Sequence, residues 1–104
     1  MRRGELWWAH LPPPTGRRLV VLLSRNEAYS VRQLVTVAPV TTRIRRIPTE
    51  VALGEAEGLP KACVANLDTI ATIPKAALRE QISSLDPGKI AAVERALKFA
   101  LGLA

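Results

Sequence analysis

The chain has 104 residues, 48% of them hydrophobic, which is enough for one modest core, so we expect a single domain over residues 1–104. The longest apolar run, Leu19–Leu23, is far below the roughly 20 residues of a membrane span, and residues 1–8 show no secretion signal, so we expect a cytoplasmic protein with no membrane partner. One cysteine excludes an internal disulfide, and a lone histidine gives little support to a Ser/His/Asp triad. No metal-ligand pattern is present, so we expect no cofactor.

The net charge of +6 is concentrated in the first half of the chain. Residues 1–46 hold nine arginines against two glutamates, giving +7, whereas residues 47–104 hold six basic and seven acidic side chains, giving −1. The planar guanidinium of arginine fits a phosphate bidentately, so this one-sided excess suggests a polyanion partner such as nucleic acid. A solvated basic face, or a surface that binds a partner's tail, is the alternative.

The first 40 residues predict three strands separated by turn-forming segments. GELWWAHL (4–11) alternates loosely and is aromatic, which predicts a first strand that ends before the prolines of PPPTGRR (12–18). RLVVLLSR (18–25) predicts a strand buried on both faces, and NEAYSVRQ (26–33) one helical turn. LVTVAPV (34–40) predicts a third strand, in which Pro39 marks an edge or a bulge.

The second half predicts four short strands and one helix. The strands are TEVAL (49–53), ACVANL (62–67), TIATI (69–73) and the edge strand ALREQI (77–82), with GEAEGLPK (54–61) as a loop. Asp86 is a candidate N-cap, Pro87 suits the first helical position and Gly102 ends the helix. Its apolar stripe is Ile90, Val93, Leu97 and Leu101, and Glu94 and Lys98 are spaced to pair. We therefore expect a mostly β or α+β fold, a small curled sheet or barrel with a C-terminal helix.

The segment TVAPVTTRIRRIP (36–48) predicts a site for a negatively charged ligand, because a buried strand ends at two threonines and runs directly into three arginines. Arginine, threonine and one histidine can support cleavage of an RNA strand. The 2′-hydroxyl of RNA is its own nucleophile, so the protein has only to hold the phosphate, stabilise the added charge and move protons.

Four segments in order resemble the MazF/PemK/Kid family of toxin endoribonucleases: RGELWWAHLPPPTGRR, VVLLSRNEAY, VTVAPVTTRIR and LPKACVANLDTIATI. The resemblance covers nearly the whole chain. It implies an SH3-like small barrel of the CcdB/MazF type, a homodimer, and metal-independent cleavage of single-stranded RNA at short specific sequences. It also implies a cognate antitoxin whose flexible tail covers the active groove.

The resemblance implies two catalytic residues. Arg18 matches the arginine that opens the second strand and acts on the scissile phosphate, although a shift of one residue would give that place to Arg17. Thr41 matches the threonine that ends the third strand, where its hydroxyl would donate to the phosphate or the developing oxyanion, with Thr42 as the alternative.

Further residues are predicted to contact RNA. Arg43, Arg45 and Arg46 would bind backbone phosphates, as would Arg17, unless these arginines are only solvated. His10 replaces an acid common in the family and could act as an acid or base near pH 7, given its unperturbed pKa of about 6.5. Asp68 could accept from a base edge, or simply form a turn.

Trp7 and Trp8 should point to opposite faces of the first strand, so that one lies in the core. The other could stack on a base or lie in an interface. Two alternative functions remain open at this point. The chain could be a non-enzymatic, CcdB-like toxin that poisons DNA gyrase, or a small SH3-like module that binds nucleic acid without cleaving it.

Overall fold

Seven antiparallel strands form one curled sheet in the computed structural model, which describes residues 1–103. The elements are β1 (Glu5–His10), β2 (Arg17–Leu22), α1 (Ala28–Val31), β3 (Leu34–Thr41), β4 (Glu50–Leu53), β5 (Cys63–Asn66), β6 (Ala71–Pro74), β7 (Leu78–Ser84) and α2 (Pro87–Leu101), with 3₁₀ turns at Glu55–Glu57 and Lys75–Ala77. The strand order is β4-β5-β3-β2-β1-β7, and β6 also pairs with β3, on the side away from β2. The predicted mostly β fold with a C-terminal helix is confirmed.

Most predicted elements are present, although several of their boundaries differ by one or more residues. The second strand begins at Arg17, one residue earlier than expected, and the last strand extends to Ser84. The predicted loop GEAEGLPK contains a 3₁₀ turn, because the side chain of Glu57 accepts from the backbone N–H of Gly54 at 2.7 Å and closes the turn. The prediction that the strand at 77–82 lies at a sheet edge is confirmed, since within residues 1–103 β7 pairs only with β1.

β3 is the strand at which the sheet bends. On one side it pairs with β2, and on the other it pairs first with β6, over Leu34–Val37, and then with β5, through Val40 and Thr41. Pro39 lies between these two partners, as the predicted irregularity requires, because proline has no N–H to donate to a continuous ladder. The bend therefore places the end of β3 in a second, shorter set of strands.

The strand β2 is buried on both faces, as predicted, because a separate apolar cluster packs on each side of it. Val21 lies in a cluster that includes Leu6 of β1 and Val93 of α2. Val20 and Leu22 lie in the second cluster, with residues of β3, β6 and α1. Burial on both sides holds the sheet's curvature and fixes the position of the arginines at the start of β2.

The C-terminal helix begins and ends where the sequence predicts. Asp86 caps it by accepting from the backbone N–H of Lys89 at 2.7 Å, and Gly102 ends it in a left-handed conformation at φ +69°. Two expectations for its side chains are wrong. Glu94 pairs with Arg3 at 3.1 Å instead of Lys98, and Leu101, expected in the buried stripe, is 53% exposed. Neither helix in residues 1–103 is both long and apolar enough to cross a bilayer.

Candidate active site

The candidate active site lies where β2 and β3 part. Their ladder pairs Val20 with Pro39 and stops there, because β3 then turns to pair with β5. Continuing the same register by two residues brings Arg18 opposite Thr41. The two predicted catalytic residues therefore lie on facing walls of the gap that opens between the strands.

This gap is a pocket of about 550 Å³. The strand ends and the β4–β5 connection line it: Trp8, Arg17, Arg18, Leu19, Pro39, Val40, Thr41, Thr42, Leu59, Pro60, Lys61 and Cys63. The pocket thus combines three cationic side chains, two hydroxyls and one aromatic ring. Such a set can hold a phosphate and contact a neighbouring base.

Arg17 and Trp8 form one wall of the pocket as a stacked pair. The guanidinium carbon of Arg17 lies 3.8 Å from the ring centroid of Trp8, within the range of a cation–π contact. Glu80 of β7 lies 3.7 Å from a terminal nitrogen of the same guanidinium, at an exposed position where such a pair contributes little. The Trp7 side chain lies on the other face of β1, where it packs against the second core cluster, as the strand alternation predicts.

Arg18 is exposed, and its Nη1 donates to the backbone oxygen of Arg17 at 3.1 Å. Within the described residues its guanidinium makes no ion pair with a carboxylate. Its charge is therefore available to an anion in the pocket, and four of its five N–H donors are not used by that one bond.

Thr41 is held from two sides. Its backbone pairs with Val64 of β5, and its Oγ1 accepts from the backbone N–H of Arg43 at 3.1 Å. A hydroxyl that accepts one hydrogen bond keeps its own proton for a second partner. Thr41 can therefore donate to an anion in the pocket, whereas Thr42 is exposed at the pocket's margin.

The arginines after β3 are not equivalent. Arg43 and Arg45 line a second cavity of about 280 Å³ with Asn66 and Thr69, and this cavity shares Pro39 and Thr41 with the first. The two cavities are therefore neighbours that meet at the end of β3. Arg46 lines neither cavity.

Glu50, the first residue of β4, binds the backbone of this loop. Its Oε1 accepts from the N–H groups of Arg45 and Arg46 at 2.8 and 3.0 Å, and its Oε2 accepts from Nε of Arg45 at 3.2 Å. These bonds hold the pKa of the Glu50 carboxyl below its ordinary value, and the bond from the backbone N–H of Arg45 has the largest effect. Arg45 is thus partly neutralised, whereas Arg43 makes no ion pair within residues 1–103.

Two other predicted site residues lie outside both cavities. The carboxylate of Asp68 accepts from the hydroxyl of Thr49 at 2.6 Å, and its backbone N–H donates to Asn66 at 2.9 Å, so its contacts are those of the turn alternative. His10 ends β1, pairs with Arg17 across the ladder and is exposed, but it does not line the pocket.

Cys63 lines the pocket as an unreactive group. It is 5% exposed, and burial, helped by the nearby charge of Glu57, raises the pKa of its thiol. A neutral thiol at neutral pH is a poor nucleophile, so this cysteine is not a candidate nucleophile. In the part of the chain that the structure describes, no group of His, Cys, Asp and Glu side chains is arranged to hold a metal ion.

Sequence reasoning missed Lys61 and left Trp8 undecided. Lys61 joins the pocket because the β4–β5 connection folds back over the gap, an arrangement that no local pattern encodes. The available signal was the lone cation in LPKAC, a segment that already carried part of the family resemblance.

Comparison with known proteins gives the class of this protein. Residues 2–101 match the family model of the PemK-like, MazF-like toxins of type II toxin–antitoxin systems. The chain is 35% identical over 103 residues to the probable endoribonuclease MazF2 of Mycobacterium tuberculosis, covering 98% of this chain and 99% of that protein. It is also 35% identical over 100 residues to the probable endoribonuclease MazF5 of the same organism, covering 95% and 91%.

Solved structures agree with this match. The M. tuberculosis toxin MazF-mt6 superposes with a TM-score of 0.88 at 32% identity, covering 96% of this chain and 98% of that one. A mycobacterial endoribonuclease in complex with its cognate antitoxin gives 0.88 at 29% identity, with 100% and 97% coverage.

The chain therefore belongs to the PemK-like, MazF-like toxin family, as its motifs predict. The curated relatives are named as endoribonucleases, which supports the predicted class of activity and not the gyrase-poisoning alternative.

Proposed function

We propose that this protein is a toxin endoribonuclease that cuts single-stranded RNA at short specific sequences without a metal ion. The observation that carries the proposal is the convergence of Arg18 and Thr41 on one basic pocket at the parting of β2 and β3. The family match and the endoribonuclease names of the relatives support it.

The scissile phosphate would bind between Arg18 and Thr41. The ribose 2′-oxygen attacks phosphorus and loses its proton, and the bond to the 5′-oxygen breaks as that oxygen gains a proton. The products are a 2′,3′-cyclic phosphate and a 5′-hydroxyl. Arg18 stabilises the added charge or supplies the proton, and the Thr41 hydroxyl donates to a non-bridging oxygen. His10 is the further candidate for a proton carrier, at the exposed end of β1 opposite Arg17.

The remaining residues would bind the flanking RNA. Arg17 and Lys61 would contact phosphates at the first cavity, and Arg43 at the second, so that a strand passes over Thr41. A base next to the cut would stack on the Trp8 and Arg17 pair. Arg45 would contribute less directly, because Glu50 engages its guanidinium.

We also propose a cognate antitoxin that inhibits the protein by covering this groove, and a homodimer as the active form, in the cytoplasm. Structures of relatives with antitoxins support the first of these. The exposed apolar side chains Phe99, Leu101 and Leu103 at the C-terminal end of α2 are consistent with a partner surface.

The test is to incubate the purified protein with a long single-stranded RNA in the presence of EDTA and to map the new 5′ ends. We expect discrete cuts that leave 5′-hydroxyl ends, and their loss in Arg18→Ala. Arg32→Ala, which removes an equal charge at an exposed position beside α1, is the matched control and should cut as wild type does. Uncut RNA, or equal cutting by Arg18→Ala, would contradict the proposal.

A further inference from the structure

Glu50 is the main attachment of the arginine loop, residues 42–47, to the sheet. Its carboxylate accepts three hydrogen bonds from Arg45 and Arg46, at 2.8, 3.0 and 3.2 Å, and its side chain is only 2% exposed. Glu50 itself is fixed, because it belongs to β4 and pairs with Asn66 of β5. A rigid strand thus holds an otherwise irregular segment through this side chain and through the backbone N–H of Glu50, which donates to the oxygen of Ile47 at 3.0 Å.

The loop adopts a conformation that needs such a hold. Arg46 has φ +56°, in the left-handed region, and is the one residue other than glycine with positive φ in residues 1–103. This conformation is unfavourable for a residue with a side chain, so it persists only where other contacts impose it. The bond from its N–H to Glu50 supplies such a contact.

The held loop carries Arg43, which lines the second cavity and whose N–H orients the Thr41 hydroxyl. Glu50 lines neither of the two cavities that meet at Thr41, so it is not placed to touch RNA there. Its side chain can therefore affect the positions of groove residues only through the loop that it binds, whereas its charge also acts on the groove directly.

We infer that Glu50 is a positioning residue that holds the arginine loop in the geometry that binds an RNA backbone phosphate at Arg43. This inference rests on the proposed function for the identity of the ligand. A buried acid in a basic, RNA-binding region has a second effect of opposite sign, because its charge repels phosphate. If Glu50 acted only through its charge, its removal would tighten RNA binding; if it acts by positioning, its removal weakens binding.

The test measures binding of a short, fluorescently labelled 2′-O-methyl RNA, whose blocked hydroxyl prevents cleavage. The variants are Glu50→Gln, Glu50→Ala and Glu55→Gln. Glu55 is an exposed acid on the 3₁₀ turn, so its substitution changes the net charge equally without touching the loop. We expect Glu50→Gln to weaken binding about tenfold and Glu50→Ala more, with Glu55→Gln binding as wild type or slightly tighter.

Two further measurements separate positioning from a general loss of structure. In Glu50→Gln the loss in RNA affinity should exceed the loss in kcat at saturating RNA, because β5 holds the backbone of Thr41 and only the hydrogen bond from Arg43 to its hydroxyl depends on the loop. In an Arg43→Gln background, Glu50→Gln should change the Kd far less than in wild type, since both changes remove the same contact.

Binding by Glu50→Gln that equals or exceeds that of wild type overturns the inference. The inference is also overturned if the effects of Glu50→Gln and Arg43→Gln on the Kd for RNA are additive. If the Glu50 variants do not fold, amide hydrogen exchange is measured on the wild type instead. Exchange at the N–H groups of Arg45 and Arg46 that is as fast as in an unstructured peptide overturns the inference, and slow exchange supports it. If the variants bind RNA in the expected order of affinity but the wild type never cuts RNA, the proposed function is refuted and the positioning role is still supported.

Discussion

The Oγ1 of Thr41 accepts a hydrogen bond from the backbone N–H of Arg43 at 3.1 Å. The first arginine of the loop thereby orients the threonine hydroxyl, which keeps its proton for donation. The last residue of β3 and the loop that follows it are thus one structural unit, and the two cavities that share Thr41 meet at this unit.

Removing the Thr41 hydroxyl should impair chemistry more than binding. In Thr41→Val the shape is kept but the donor is lost, and we expect kcat for RNA cleavage to fall about 10²-fold, the usual effect of losing one donor to a developing oxyanion. Thr41→Ser restores the hydroxyl and should recover most of the rate. Thr72→Val, on the exposed face of β6, is the control for the same atomic change and should leave kcat unaltered.

We expect kcat for RNA cleavage to depend on both the charge of Arg18 and the planar shape of its guanidinium group. We expect Arg18→Lys to keep RNA binding within a few-fold but to lower kcat by about 10²-fold or more, since the ammonium group lacks the two parallel, coplanar N–H donors with which a guanidinium binds two phosphate oxygens. Single-turnover cleavage at saturating enzyme measures this. A lysine variant as fast as wild type would show that charge alone is sufficient at this position.

Replacing Trp8 should weaken RNA binding. Trp8→Leu keeps an apolar side chain next to Arg17 but removes the aromatic face, so the Kd should rise about 5- to 100-fold, as for other bases that stack on aromatic rings. Trp7→Phe is the control, because that side chain is partly buried against the second core cluster and does not line the pocket, and its Nε1 donates to Glu5. Equal effects of the two substitutions would argue against stacking.

Acid should release the arginine loop. Hydrogen bonds from the loop lower the pKa of Glu50 from its ordinary 4.5, so the folded state binds this proton less readily than the unfolded state. The stabilisation from Glu50 is therefore complete above about pH 4.5 and is lost as the pH falls through the lower pKa of the folded state. The charge of Arg45 acts in the same direction, and the cations Lys89 and Arg95 of α2 line the adjoining groove with Glu50.

The measurement is the difference in thermal midpoint between wild type and Glu50→Gln as a function of pH. We expect wild type to be the more stable protein near pH 7 and the difference to shrink below about pH 4.5. A difference that stays constant down to about pH 3 would contradict the assignment of the lowered pKa to these bonds.

Gly4 should be intolerant of a side chain. Its φ is +91°, and an added Cβ would lie 2.7 Å from Cγ1 of Ile90 on α2. We expect Gly4→Ala to lower the free energy of unfolding by about 1–3 kcal/mol for the crowding and by a further 1–2 kcal/mol for the backbone conformation. Urea unfolding measures the sum.

Gly16→Ala separates the two contributions, because Gly16 also has a positive φ, +68°, but no atom lies within 4 Å of an added Cβ. It should show the conformational cost alone. Equal losses at the two glycines would mean that β1 and α2 adjust freely to the added methyl group.

Much of this protein follows from its local sequence. Alternating apolar residues predict the strands, and Asp86, Pro87 and Gly102 predict both ends of α2, because caps and strand periodicity depend only on neighbouring residues. The motifs around Arg18 and Thr41 also identified the family.

The tertiary structure decided which of these residues meet. Arg18 and Thr41 lie far apart in the chain, and only the register of β2 against β3, with the bend at Pro39, sets them across one gap. The three arginines of the loop look alike in sequence, yet a carboxylate four or five residues further along the chain binds Arg45 and the backbone of Arg46 and leaves Arg43 facing the groove. The meeting of Arg18 and Thr41 has no local signature, because it depends on the packing of strands that are distant in sequence. The difference among the arginines is set by a near neighbour in the chain, but it depends on the fold of the loop, which brings the backbone of Arg45 and Arg46 onto a carboxylate fixed in β4.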